Sequence, residues 1–116
     1  EWDEQFRDDA IGLLAAYGGL EIGALSGACL AAAAARVPIL LDGATSTAAA
    51  AIAGELAPAC RGYFIASHRA ALPAHGALLD HLGLVPLLQL QLDLGEGVGA
   101  VLAMDLVEAA LELGRE

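Results

Sequence analysis

Three short polar clusters carry residue types that do chemistry. In Gly95-Glu96-Gly97 one carboxylate sits between two glycines. Side chains do not crowd such a backbone, so a substrate can approach it closely. The helix predicted to follow points its N-terminus nearby, which favours the ionised form. Once a substrate buried it, a carboxylate placed there would serve as a general base. On spacing alone the plainer reading, a glycine-rich turn with a surface glutamate, has the stronger claim.

Asp42-Gly43-Ala44-Thr45-Ser46-Thr47 is the second cluster. Gly43 lets a ligand reach the backbone, and free N–H groups beside Thr45 and its hydroxyl neighbours suit a phosphate. An ordinary Ser/Thr helix cap explains the same residues. Ser67-His68-Arg69 is the third, able to support catalysis or to bind an anion. Its plainer reading has His68 and Arg69 pairing with nearby carboxylates. Adjacent residues on a strand end point to opposite sides, which argues against Ser67 and His68 as a hydrolase pair. His68, His75 and His81 lack helical i, i+4 spacing, and Cys29 and Cys60 form no CxxC, so no metal site and no cofactor is expected. Neither GxGxxG nor a Walker loop occurs.

The elements that must position these clusters alternate. Asp8 or Asp9 caps a helix through Ala16 that Gly18-Gly19 ends. A second helix covers about Leu20 to Ala35, with Gly23 and Gly27 around Ser26 suited to close helix packing. Val37 to Leu41 reads as a buried strand, Thr45 to Leu56 as a helix stopped by Pro58, and Gly62 to Ala66 as the next buried strand. Pro73 opens a helix that Gly83 caps. Leu88 to Leu94 alternates strictly, as an extended segment with one wet face does. A last helix runs to about Leu113, and the spacing of Val101, Met104, Val107 and Leu111 predicts core positions. Strands alternating with helices imply an α/β fold with a parallel sheet. Ligands on such sheets gather at the carboxyl ends of the strands, where all three clusters fall.

The 116 residues allow one domain, with no internal boundary or repeat. Hydrophobic residues make up 58%, against about half in ordinary domains. That excess predicts apolar surface needing another chain or a further segment to cover it. The start at Glu1-Trp2-Asp3 suggests a processed product or a fragment. The longest uncharged run, Ile22 to Ala35, is too short to cross a bilayer. A net charge of −10 repels phosphate backbones and argues against nucleic-acid binding. Isolated cysteines fit a reducing cytoplasm, and Cys29 reads as a small buried hydrophobe.

The clusters, in this order, resemble nicotinate-nucleotide:dimethylbenzimidazole phosphoribosyltransferase. GGLEIGALSGACLAAAAARVPILLDG, IASHRAALPAH and LDLGEGVGAVLAM carry the resemblance, which runs without gaps from about Tyr17 to Leu113. It implies transfer of phosphoribosyl from nicotinate mononucleotide to 5,6-dimethylbenzimidazole, giving α-ribazole 5′-phosphate and nicotinate for the lower ligand of cobalamin. By resemblance Glu96 is the general base, Leu94 and Gly95 lie against the benzimidazole with Gly97 beside them, and Gly43 gives a backbone contact to the phosphate. Asp42, Thr45, His68 and Arg69 are supporting candidates. The family uses no metal, forms a homodimer, and folds as a parallel Rossmann-like α/β sheet with a smaller helical domain. This chain corresponds to its carboxyl-terminal third. The rest of the pocket, including a further glutamate and a lysine, comes from the amino-terminal part.

The sequence departs from that family at several positions. Ala70 replaces a serine that helps hold the phosphate, and Asp93 replaces a basic residue. Leu72, Ala74, Val98 and Ala44 also differ from the usual pattern. These departures keep two other readings in view: a relative that binds a nucleotide or base without turnover, and an assembly module that needs a partner chain.

Overall fold

The computed structural model describes residues 8–89 and 96–115. The Asp9 carboxylate accepts the Gly12 N–H at 2.8 Å and starts α1 (Ala10–Tyr17). After Gly18-Gly19 comes α2 (Leu20–Ala34). It ends on a Schellman turn, with Arg36 left-handed at φ 60° and the Val37 and Arg36 N–H groups returned to Ala32 and Ala33 carbonyls. The chain then enters β1 (Ile39–Leu41), crosses over through α3 (Ala44–Leu56) and a 3-10 helix (Pro58–Tyr63), and returns in β2 (Phe64–Ala66). Pro73 sits in the first turn of α4 (Pro73–Leu82), which Gly83 closes. The last helix is α5 (Val98–Gly114).

β1 and β2 are parallel, in the register Ile39↔Phe64, Leu40↔Ile65, Leu41↔Ala66. The chain past β2 gains a third parallel neighbour. His68 bridges Leu88, and the N–H groups of Leu87 and Leu88 donate to the Ala66 and Ser67 carbonyls at 3.0 and 2.9 Å. Leu88, the first residue of the alternating segment read from the sequence, thus meets the sheet through a single parallel bridge, and residues 90–94 of that segment lie outside the described ones. The architecture is α/β, a partial parallel sheet with flanking helices.

Cys29, Leu41, Ala50, Ala53, Cys60, Phe64 and Leu82 form the core between α2, α3, the 3-10 helix and the strands. Small side chains let α2 and α3 come close. The buried Ser26 hydroxyl lies 2.7 Å from the Ile22 carbonyl and 3.1 Å from the Ala49 carbonyl across the interface. Ser26 and Cys29 are the buried residues of α2; of the two glycines around Ser26, Gly23 faces Leu14 of α1 while Gly27 faces open space. Both thiols are buried, and burial raises their pKa values.

The helical spacing on α5 is also misread as core. Val101 and Met104 are 63% and 48% exposed and Leu111 60%, with Val107 half-buried; only Gly99 and Ala103 are buried along the helix. The first turn of α5 docks on the end of β1, and the described residues leave the remainder uncovered. The apolar excess in the composition is therefore real surface here, with Leu20 and Val85 also 93% and 83% exposed.

Candidate functional site at the strand ends

β1 delivers Asp42 to the carboxyl edge of the sheet, and the Asp42 carboxylate reaches across to α5. Its Oδ2 accepts the Gly97 N–H at 2.9 Å and its Oδ1 the Ala100 N–H at 3.1 Å. These amides belong to the N-cap and third residue of α5, so a residue 55 positions away performs the capping that the helix's own glycine cannot. Asp42 thereby fixes the turn that presents Glu96.

That turn has two left-handed residues in succession, Glu96 at φ 62° and Gly97 at φ 84°. Glycine accepts this conformation freely, whereas a glutamate held there costs on the order of 1–3 kcal/mol. Glu96 is exposed. Among the described residues its carboxylate has no hydrogen-bond or ion-pair partner, because Asp42 already occupies the helix end. Leu94 and Gly95, expected beside it, lie outside the described residues.

The end of β2 adds a buried polar cluster. The Ser67 hydroxyl donates to the Leu41 carbonyl at 2.6 Å. With that proton committed, the 3.0 Å contact between Ser67 Oγ and His68 Nδ1 requires Nδ1 to carry the hydrogen. The same nitrogen lies 3.9 Å from Asp42 Oδ1, so the expected pairing of His68 with a carboxylate is present. Ser67 and His68 do not point to opposite sides. Their side chains meet at 3.0 Å even though parallel pairing runs on past Ala66 to the His68–Leu88 bridge. Ser67 remains unsuited to attack a substrate, being fully buried with its proton on Leu41.

His68 is 1% exposed because α5 lies on it. A Cβ at Gly99 would collide with His68 Nδ1, so only glycine lets the helix seat there. Arg69, by contrast, is exposed and lies across α4 at Gly76. Among the described residues its guanidinium has no hydrogen-bond or ion-pair partner, contrary to the bracing pair that the sequence suggests.

At the start of α3, Gly43 is the N-cap, and no side chain caps the helix. Space opens where a Gly43 side chain would stand. Ser46 and Thr47 do not face that space. The Ser46 hydroxyl accepts the Asp42 N–H at 3.0 Å and donates to the Gly43 carbonyl at 3.0 Å; the Thr47 hydroxyl donates to the same carbonyl at 2.7 Å. Of the three hydroxyl residues only Thr45 is exposed.

Sequence reasoning misses His75, which is fully buried behind this junction. It comes from α4, away from the strand ends, and no spacing rule relates it to Thr47 or Ala70. Among the described residues no group of three His, Cys, Asp or Glu side chains is arranged to hold a metal ion. An open apolar groove of about 370 Å³ runs between α2 and β1, past Leu25, Cys29 and Leu40, and includes neither Asp42 nor Glu96.

A parallel α/β edge that, among the described residues, has a carboxylate without a partner, a helix start without a side-chain cap and a guanidinium without a partner suits transfer chemistry on an anionic substrate. A family model described as phosphoribosyltransferase matches residues 2–116, and the chain belongs to that family. A nicotinate-nucleotide–dimethylbenzimidazole phosphoribosyltransferase from Chloroflexus aurantiacus is 53% identical over 106 residues, 91% of this chain and 30% of that protein. One from Desulforudis audaxviator is 56% identical over 108 residues, 93% of this chain and 31% of that protein. A solved structure of such an enzyme from Thermus thermophilus superposes with a TM-score of 0.84 at 46% identity, covering 87% of this chain and 31% of that one. The chain thus spans about 30% of the length of the curated relatives it matches.

Proposed function

We propose that this chain supplies the general base and part of the phosphate site of an enzyme that transfers phosphoribosyl from nicotinate mononucleotide to 5,6-dimethylbenzimidazole. The products are α-ribazole 5′-phosphate, the precursor of the lower ligand of cobalamin, and nicotinate. The observation that carries this reading is the Glu96 turn: a carboxylate without a partner among the described residues, held in a strained left-handed conformation at the strand ends. Such strain persists where surrounding structure enforces it, and Asp42 and Gly99 do so here. Neutral dimethylbenzimidazole keeps one N–H. As its other nitrogen attacks the anomeric carbon, positive charge develops on the ring, and Glu96 takes the proton. Leu94, Gly95 and Gly97 line the benzimidazole side. The Gly43 backbone, Thr45 and Arg69 face the phosphate, while Asp42 and His68 support the base.

Residues 1–116 form the carboxyl-terminal portion of the α/β domain in this reading, completed by an amino-terminal portion in a cytoplasmic homodimer. No helix among the described residues is long and apolar enough to cross a membrane. Glu96→Gln preserves size and hydrogen bonding but cannot accept the proton. In the assembled enzyme it is expected to lower kcat by about 10²–10⁴ with little change in benzimidazole affinity. Retention of most of the parent's kcat would make Glu96 a structural turn residue. Ala70, which offers no hydroxyl to a phosphate, favours the second reading of a relative that binds without turnover. An assembled parent that binds both substrates but forms no α-ribazole phosphate selects it.

A further inference from the structure

We infer that His75 is a positioning residue that fixes the Ala70 amide directly and the Gly43 carbonyl through Thr47, shaping the side of the site that receives the nucleotide's phosphate. The inference rests on the phosphate reading proposed above. His75 Nδ1 accepts the Ala70 N–H at 3.0 Å, so this nitrogen is unprotonated. The neutral ring's hydrogen is then on Nε2, which lies 3.1 Å from Thr47 Oγ1. The Thr47 hydroxyl gives its own proton to the Gly43 carbonyl at 2.7 Å. Proton directions therefore agree along a chain from His75 through Thr47 to Gly43, with the Ala70 amide feeding its other end.

The consequence is geometric. Besides the Thr47 hydroxyl, the Gly43 carbonyl accepts the Ser46 hydroxyl and the Thr47 N–H, both at 3.0 Å. A carbonyl held by three donors cannot rotate, and its peptide plane sets where the following Ala44 N–H points. One buried imidazole thus couples two loops, those after β1 and β2, that no described strand pairing joins beyond Leu41 and Ser67. His75, Thr47 and their shared contact are fully buried, so water does not substitute for that bond.

Acid strains this arrangement. Burial lowers the His75 pKa, and the neighbouring His68 and Arg69 charges act in the same direction, while Asp42 opposes them. His68 faces the ring edge-on at 5.8 Å between centroids. The folded pKa lies below the ordinary 6.5, so the neutral form's contribution is complete above that value. It is lost as pH falls toward the folded value, where a proton on Nδ1 would confront the Ala70 N–H.

The test is steady-state kinetics of the assembled enzyme. His75→Ala is expected to raise the KM for nicotinate mononucleotide about three- to tenfold, with kcat and the benzimidazole KM changed less than about twofold. His75→Asn, whose amide oxygen can still accept the Ala70 N–H, recovers part of the loss and serves if the alanine variant does not fold. Thr47→Val in the His75→Ala background adds little, because both cut one chain. As pH falls toward the folded His75 pKa, which lies below the ordinary value, the parent's nucleotide KM rises relative to that of His75→Asn, a ratio from which the substrate phosphate's own titration cancels. Proton–nitrogen NMR of the ring is expected to show the Nε2–H tautomer. An Nδ1–H tautomer, an unchanged nucleotide KM in folded variants, or an equal loss in all three parameters overturns the inference. Arg69→Gln separates the two levels. If it raises the nucleotide KM and the His75 variants do not, only the inference about His75 fails. If neither does, the phosphate reading fails with it.

Discussion

α3 and α5 start alike and end up with opposite electrostatic tasks. Each follows the carboxyl edge of the sheet, each has glycine as its N-cap, and neither receives a side-chain cap from its own first turn. The difference lies in Asp42. Its two carboxylate oxygens satisfy α5, leaving the adjacent Glu96 without a claim on that helix end. Among the described residues α3 receives no such carboxylate, and its nearby Ser46 and Thr47 hydroxyls turn inward to Gly43. Its first amides therefore remain the positive end of an uncapped helix, the arrangement that receives anions. Two similar glycine junctions are thus differentiated by one tertiary carboxylate, a difference that fits the proposed roles of Glu96 as base and of the α3 start as phosphate contact.

The largest change should come from breaking the seat of α5. Gly99→Ala places a methyl group against the buried His68 ring, which cannot swing away while Ser67 and Asp42 hold it. Overpacking of this kind costs about 1–3 kcal/mol. Chemical denaturation measures that loss, and kcat of the assembled enzyme should fall with it as the Glu96 turn shifts. Full stability with full activity would show that α5 is not fixed by His68.

Asp42→Asn comes next. It keeps one acceptor oxygen and loses the charge, so one of the two amides of α5 goes unsatisfied. A loss of about 1.5–3 kcal/mol is expected, from denaturant midpoints at neutral pH. An unchanged midpoint would remove Asp42 as the feature that separates the two junctions.

How much of this is legible in the sequence follows from which residues act locally. Gly43, Glu96 and Gly97 stand out because glycine beside a polar residue, between a strand and a helix, marks a turn whatever surrounds it. The capping by Asp42 is not legible, since it joins residues 55 positions apart. Ser67 and His68 are misjudged when alternation is taken to keep adjacent side chains apart. The apolar positions of α5 fall into a predicted core because periodicity reports a face of a helix and not what that face meets. His75 gives no signal, as its partners come from the first turn of α3 and from the loop after β2.

A smaller effect separates the junctions directly. Titration of the chain with inorganic phosphate, followed by amide NMR, is expected to move the signals of Ala44 and Thr45. Those of Gly97 and Ala100, held by Asp42, should stay. Saturation at about ten times the dissociation constant would add only about 1.4 kcal/mol of stability. Shifts at Gly97 and Ala100 with none at Ala44 and Thr45 would reverse the assignment of the two helix ends.

The last test is the most discriminating, because the sign of its effect differs between readings of Glu96. A glutamate at φ 62° sits where a side chain crowds its own backbone, and glycine does not. Glu96→Gly relieves that strain but gives the unfolded chain more freedom, a cost of roughly 0.5–1 kcal/mol. It also removes no hydrogen bond or ion pair seen among the described residues. Set against strain of about 1–3 kcal/mol, the net change should lie between about zero and a gain of about 2.5 kcal/mol. If Glu96 serves the chemistry, Glu96→Gly therefore unfolds no more easily than the parent while losing kcat to at least the extent of Glu96→Gln. A residue kept for the turn alone gives the reverse pattern: the glycine variant would lose stability through a contact of Glu96 and retain turnover. Paired denaturation and kinetic measurements on the assembled enzyme decide between them, and a destabilised but active Glu96→Gly variant would end the assignment of Glu96 as the base.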